Sequence, residues 1–147
     1  MNKFGWSQYL LAAAIGVGYT YLAVYFWVYY AFDNPINNWL LDAYAKQGRE
    51  GTYYAAICSH DFVVNTVIAI PFAIGIANLV PNSFWPYLGV ALASSLVVHY
   101  GGALFNVDFW TIMFASKVAW AGLLTSFLAL PSGFALAICL RKRLSPQ

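Results

Sequence analysis

An all-α, polytopic membrane protein, a bundle of four transmembrane helices, is the fold class this sequence predicts, and three observations predict it. Hydrophobic residues make up 62% of the 147-residue chain and charged residues only 8%, which is too little polar surface to cover a soluble domain. Four stretches are each apolar over the ~20 residues that a helix needs to cross the hydrocarbon of a bilayer. No charge run, Ser- or Pro-rich linker or internal repeat divides the chain, so residues 1–147 read as a single integral membrane domain with no room for a soluble catalytic module.

The first stretch runs from about Trp6 to Phe32. Lys3 followed by an apolar run with Ala12, Ala13 and Ala14 has the look of a secretion signal, but the run outlasts a signal core and an uncleaved spanning helix is expected. Toward its outer end it is crowded with Tyr19, Tyr21, Tyr25, Phe26, Trp27, Tyr29, Tyr30 and Phe32, which suit an interfacial belt in contact with lipid, or else the wall of a cavity. Ala12, Gly16 and Thr20 follow a small-xxx-small spacing that lets another helix approach closely.

A short helix is expected next, over about Asn34 to Gly48. Asn34 suits its N-cap, Pro35 its first position and Gly48 its end. Ile36, Trp39, Leu40, Ala43 and Tyr44 share one face, opposite Asn37, Asn38, Asp42 and Lys46, so this amphipathic helix is expected to lie at the membrane interface or to roof the bundle mouth.

The second and third stretches cover about Tyr53 to Val80 and Phe84 to Phe105. Pro81, Asn82, Ser83 and Pro86 form a tight connection between them, which predicts antiparallel neighbours. The fourth runs from about Trp110 to Leu140, with Asp108 placed to act as its N-cap. Pro71 and Pro131 each remove a backbone hydrogen bond, freeing the carbonyls of Val67 and Phe127 and permitting a kink. Cys58 and Cys139 fall near opposite membrane faces, so no disulfide is expected between them.

An even number of spans puts both termini on one side. Lys3 at one end and Arg141, Lys142 and Arg143 at the other place that side in the cytoplasm by the positive-inside rule, with a bacterial inner membrane as the expected location. Asp33, Asp42, Glu50, Asp61 and Asp108 then all fall in or near the outer half. The basic triplet reads as a topology anchor on anionic lipid, and no nucleic-acid partner is expected.

The chemistry lies within the apolar stretches themselves. A charge in hydrocarbon costs at least ~2.5 kcal/mol unless it is paired or hydrated, yet His60, Asp61, His99 and Lys117 sit on three different helices at similar depth below the outer face. Asp61 and Asn65 share a helix face, as do Ser95 and His99. His60, Asp61, Asn65, Ser95, His99 and Lys117 are therefore the candidate site.

Several readings of that layer compete. An Asp61–Lys117 ion pair with the histidines hydrogen-bonded around it would only lock the helix register, the part of a structural or accessory subunit of a membrane complex. The same groups can serve a small solute, ion or proton arriving from the outer face, which is the functional expectation taken forward. As a further alternative, His60, His99 and Asp61 are candidate metal ligands, or the two histidines candidate haem ligands, of a membrane enzyme or electron carrier.

No His-Glu-x-x-His or Cys-x-x-Cys-His motif supports a metal ion or haem, so the leading expectation is no cofactor. Catalysis without metal is not favoured either. Ser59 and His60 are helix neighbours that point about 100° apart, and a serine such as Ser95 on a membrane helix usually bonds its own backbone or packs. Besides the lipid bilayer, the expected partners are further copies of the chain or another membrane subunit, because four short helices bury only a limited interior.

Overall fold

The computed structural model describes residues 5–30, 35–36, 38–39, 42, 50–79 and 84–144. Its elements are α1 (Trp6–Tyr30), α2 (Glu50–Leu79), α3 (Trp85–Tyr100), a 3-10 turn (Gly101–Phe105), α4 (Val107–Ala115) and α5 (Lys117–Leu144). Four spans, Trp6–Tyr30, Ala55–Leu79, Trp85–Phe105 and Ala119–Leu140, are long and apolar enough to cross a membrane, and the protein is read as integral to one. Pro35, Ile36, Asn38, Trp39 and Asp42 are helical; the remainder of the amphipathic segment expected over 34–48 lies outside the described residues.

The four long helices stand in a skewed square with the cyclic order α1, α2, α5, α3. This corrects the expectation that the tight Pro81–Pro86 connection makes its two helices close neighbours: α2 and α3 lie across the diagonal and touch little, whereas the principal contacts are α1 with α3 and α2 with α5. The reason is the placement of small residues. Lipid is as apolar as leucine, so helices in a bilayer gain by close backbone approach rather than by hiding hydrocarbon from water.

On α1 the stripe Ala12, Gly16, Thr20 is buried, and a Cβ added at Gly16 would collide with the Ala91 carbonyl and the Ser94 side chain of α3. Ser94 donates its hydroxyl to the Ala13 carbonyl at 3.1 Å, and the Tyr87 hydroxyl donates to Gln8 Oε1 at 3.1 Å. The rings of Tyr9 and Tyr87 stack with centroids 4.8 Å apart. Contacts thus run in the same order along both helices, which makes α1 and α3 parallel.

The pairing of α2 with α5 uses the same device. A Cβ on Gly133 would lie 2.8 Å from the Cβ of Ala69 and 3.1 Å from the Thr66 carbonyl oxygen. Ala69, Ala73 and Ile76 bury themselves there with Leu130, Phe134 and Ala137. The two parallel pairs join in antiparallel fashion through Tyr19 on Phe72, centroids 5.9 Å apart, and Phe84 on Phe134, 4.5 Å apart. Pro71 and Pro131 sit inside α2 and α5, and Cys58 and Cys139 are both free.

Two helix breaks replace continuity expected from hydropathy. The third stretch is α-helical only to Tyr100, because Gly101 takes φ +50°, a left-handed conformation that favours glycine, and its N–H bonds the Val97 carbonyl. The fourth stretch is two helices meeting at Ser116, which is extended at φ −116°, ψ 115°. Its N–H donates to the Ile112 carbonyl, closing α4, while its Oγ accepts the Ala119 N–H at 3.3 Å and caps α5.

Asn106, rather than Asp108, caps α4. Its side-chain oxygen accepts the Asp108 N–H at 2.9 Å, and Asp108 occupies the first turn, where its carboxylate meets the positive end of the helix dipole. The Trp110 indole N–H donates to the Leu104 carbonyl at 2.9 Å and ties α4 to the preceding turn.

Candidate functional site

At the end of the square where α1 and α3 finish and α2 and α5 begin, a cavity of about 590 Å³ reaches down to Tyr19 and Thr20 near the middle of α1. All four long helices wall it. Asp61 and Asn65 come from α2, Ser95 and His99 from α3, Thr125 and Ser126 from α5, and Tyr19, Thr20 and Trp27 from α1, while α4 adds Met113. The volume falls in the range of small-molecule sites, and an apolar wall with a few convergent polar groups is their usual chemistry.

The shared helix faces expected for Asp61 with Asn65 and for Ser95 with His99 both turn toward this one space. His60 and Lys117 do not line it. His60 faces α1 beside the cavity, with its ring 6.0 Å from Trp27 and 6.1 Å from Tyr30, stacked on the latter at 13°. Its Nδ1 stands 3.3 Å from Asp61 Oδ1, and its Nε2 is buried without a hydrogen-bond partner among the described residues. A hydrogen on Nε2 would have no acceptor among the described residues, and that arrangement favours the tautomer that donates from Nδ1 to Asp61.

Lys117 is exposed as the first residue of α5, because the break at Ser116 ends the apolar span and restarts the helix after it. The Asp61–Lys117 ion pair is therefore corrected: among the described residues, Asp61 pairs with His60. Nor does the fold assemble His60, Asp61 and His99 as metal ligands. His60 packs on Trp27 and Tyr30 of α1 and does not line the cavity that His99 lines, and among the described residues no three His, Cys, Asp or Glu side chains come together.

The remaining polar groups are oriented by the helices themselves. The Trp27 indole N–H donates to Asn65 Oδ1 at 2.8 Å, joining α1 to α2. Thr20 donates to the Gly16 carbonyl at 3.1 Å and lies 2.7 Å from the Ser95 hydroxyl, joining α1 to α3. Thr125 and Ser126 both donate to the Gly122 carbonyl, at 2.8 and 3.0 Å.

Sequence reasoning overlooked Thr20 as a polar member of the site, along with Thr125 and Ser126. Hydroxyls that bond their own helix backbone are ordinary in membrane helices and give no signal until the facing helix is known. The aromatics of α1 divide between the two roles considered for them: Tyr21, Tyr25 and Tyr29 are exposed on the outer surface, whereas Tyr19 and Trp27 face the cavity. Comparison with known protein families, characterised proteins and solved structures finds no match to this chain.

Proposed function

We propose that this membrane protein handles a small solute, ion or proton in the cavity between its four long helices. The observation that carries this reading is convergence: every long helix turns polar or aromatic side chains into one space that extends from the bundle end to its middle. A charge is costly at membrane depth, and Asp61 is tolerable there if the space beside it holds water or a ligand. With Lys3, Arg141, Lys142 and Arg143 in the cytoplasm, the cavity opens on the outer side of the membrane, a bacterial inner membrane in this reading. The rival reading, an accessory subunit whose polar groups only fasten helices, draws support from the Thr20–Ser95 and Trp27–Asn65 contacts, which do fasten helices.

Solvent access separates the two. Ser126→Cys is placed in a background with Cys58→Ala and Cys139→Ala, since Ser126 lines the cavity and bonds only its own backbone. Leu128→Cys, about half a turn deeper in an exposed apolar position, is the lipid-facing control. A membrane-impermeant maleimide is expected to label Ser126→Cys from one side of the membrane and to leave Leu128→Cys untouched. Absence of labelling at Ser126→Cys from either side means a dry cavity, and the packing role then stands alone.

A further inference from the structure

Resting on the reading of the cavity as a solute site, we infer that it takes a small organic cation of the substituted-ammonium type. Three features of the lining point to this class. Asp61 is the one carboxylate among the described residues that line the space, and none of those residues is lysine or arginine, so the fixed charge facing a solute is negative. Its side chain keeps 35% of its surface exposed and so remains able to meet a ligand.

The second feature is the spending of hydrogen-bond donors. The Trp27 N–H goes to Asn65, the hydroxyl hydrogens of Thr125 and Ser126 go to the Gly122 carbonyl of their own helix, and the Thr20 hydroxyl is engaged by the Gly16 carbonyl and by Ser95. Oxygen lone pairs are what remain at these hydroxyl positions and suit a cation, while the amide hydrogens of Asn65 and the ring of His99 are the donors left in the lining.

The third feature separates an organic cation from a metal ion. Tyr19, Trp27 and Tyr100 line the same space, and aromatic faces attract a cation within about 6 Å through the ring quadrupole, most effectively where water is excluded. A calcium or magnesium ion needs about six oxygens converging on one point, whereas the described residues hold no cluster of three acidic, His or Cys ligands. A cavity of about 590 Å³ also exceeds what a bare ion can fill.

The test is titration calorimetry of the full chain in a neutral detergent with tetraethylammonium chloride, with potassium chloride and sodium benzoate as comparison ligands. Saturable binding of tetraethylammonium is expected, with none of benzoate and without competition from equimolar potassium. Asp61→Asn, which keeps an acceptor for His60, is expected to weaken binding roughly tenfold or more. Tyr100→Leu is expected to weaken it roughly three- to thirtyfold, and Tyr100→Phe, which keeps the ring, to bind nearly as the parent does.

Equal competition by potassium, or unchanged binding in Tyr100→Leu, overturns the organic-cation class. No binding of tetraethylammonium to a protein whose Ser126→Cys is labelled overturns the cation proposal and leaves the solute site standing. If Ser126→Cys is unlabelled as well, both fall.

Discussion

The hydroxyls of Thr20 and Ser95 lie 2.7 Å apart on parallel helices, and Ser95 at the same time faces the cavity. One contact therefore belongs both to helix association and to the site. Hydrogen bonds between membrane helices are worth ~0.6 kcal/mol on average, and up to ~1.7. Thr20→Val and Ser95→Ala are expected to show a coupling of about that size in a double-mutant cycle measured by denaturation in mixed micelles. Additive losses would mean that each hydroxyl is satisfied by its own backbone and that the pair contributes nothing.

Gly16→Ala tests the closest approach in the bundle. The added methyl meets backbone and side chain of α3, and relief requires the helices to part, at a cost of about 1–3 kcal/mol or more. Gly89→Ala on α3, where a Cβ meets nothing within 4 Å among the described residues, is the matched control and should be neutral or slightly stabilising. Thermal denaturation of the two variants should therefore differ clearly, and equal melting would refute the α1–α3 pairing.

Gly101→Ala forces a side chain onto a backbone at φ +50° with no steric neighbour within 4 Å among the described residues, so its penalty is conformational and should be ~1–3 kcal/mol. Gly102, which also has open space but no positive φ, should accept alanine at little cost. Because the turn after Gly101 leads into α4, Gly101→Ala should also change the labelling rate of a cysteine at Met113.

Asn65→Leu leaves the Trp27 indole N–H without its acceptor in a part-buried setting, at a cost of about 1–3 kcal/mol. Asn65→Asp keeps an acceptor for it. The parent and Asn65→Asp should share a tryptophan emission maximum, whereas Asn65→Leu should shift it. A spectrum unmoved in both variants would show that Trp27 does not depend on Asn65.

The spans were legible because hydropathy alone separates membrane from water. The two polar faces were legible because residues four apart share a side of any helix, which is how Asp61 with Asn65 and Ser95 with His99 could be grouped before the neighbours were known. Which helix pairs with which was not legible. In lipid both faces of a helix are apolar, so the periodic signal that orients a soluble helix is absent, and only small residues such as Gly16 and Gly133 mark the contact.

The two breaks were missed for a related reason. Gly101 and Ser116 each sit within a stretch whose average hydropathy is high despite His99 and Lys117 nearby, and a hydropathy window passes straight over a single residue of unusual backbone conformation. Lys117 was misplaced as a consequence, since depth had been counted along a helix that in fact restarts there.

The cyclic order α1, α2, α5, α3 has a consequence for how the chain enters the bilayer. Successive hairpins cannot be finished one at a time, because the chief partner of α1 is made only after α2, and that of α2 only after α3. The early helices must wait in lipid or in the insertion machinery with their small-residue grooves uncovered. Severing the α2–α3 connection would leave two halves that must interleave rather than dock, so neither half holds a finished pair, and the bundle can close only when the last helix arrives.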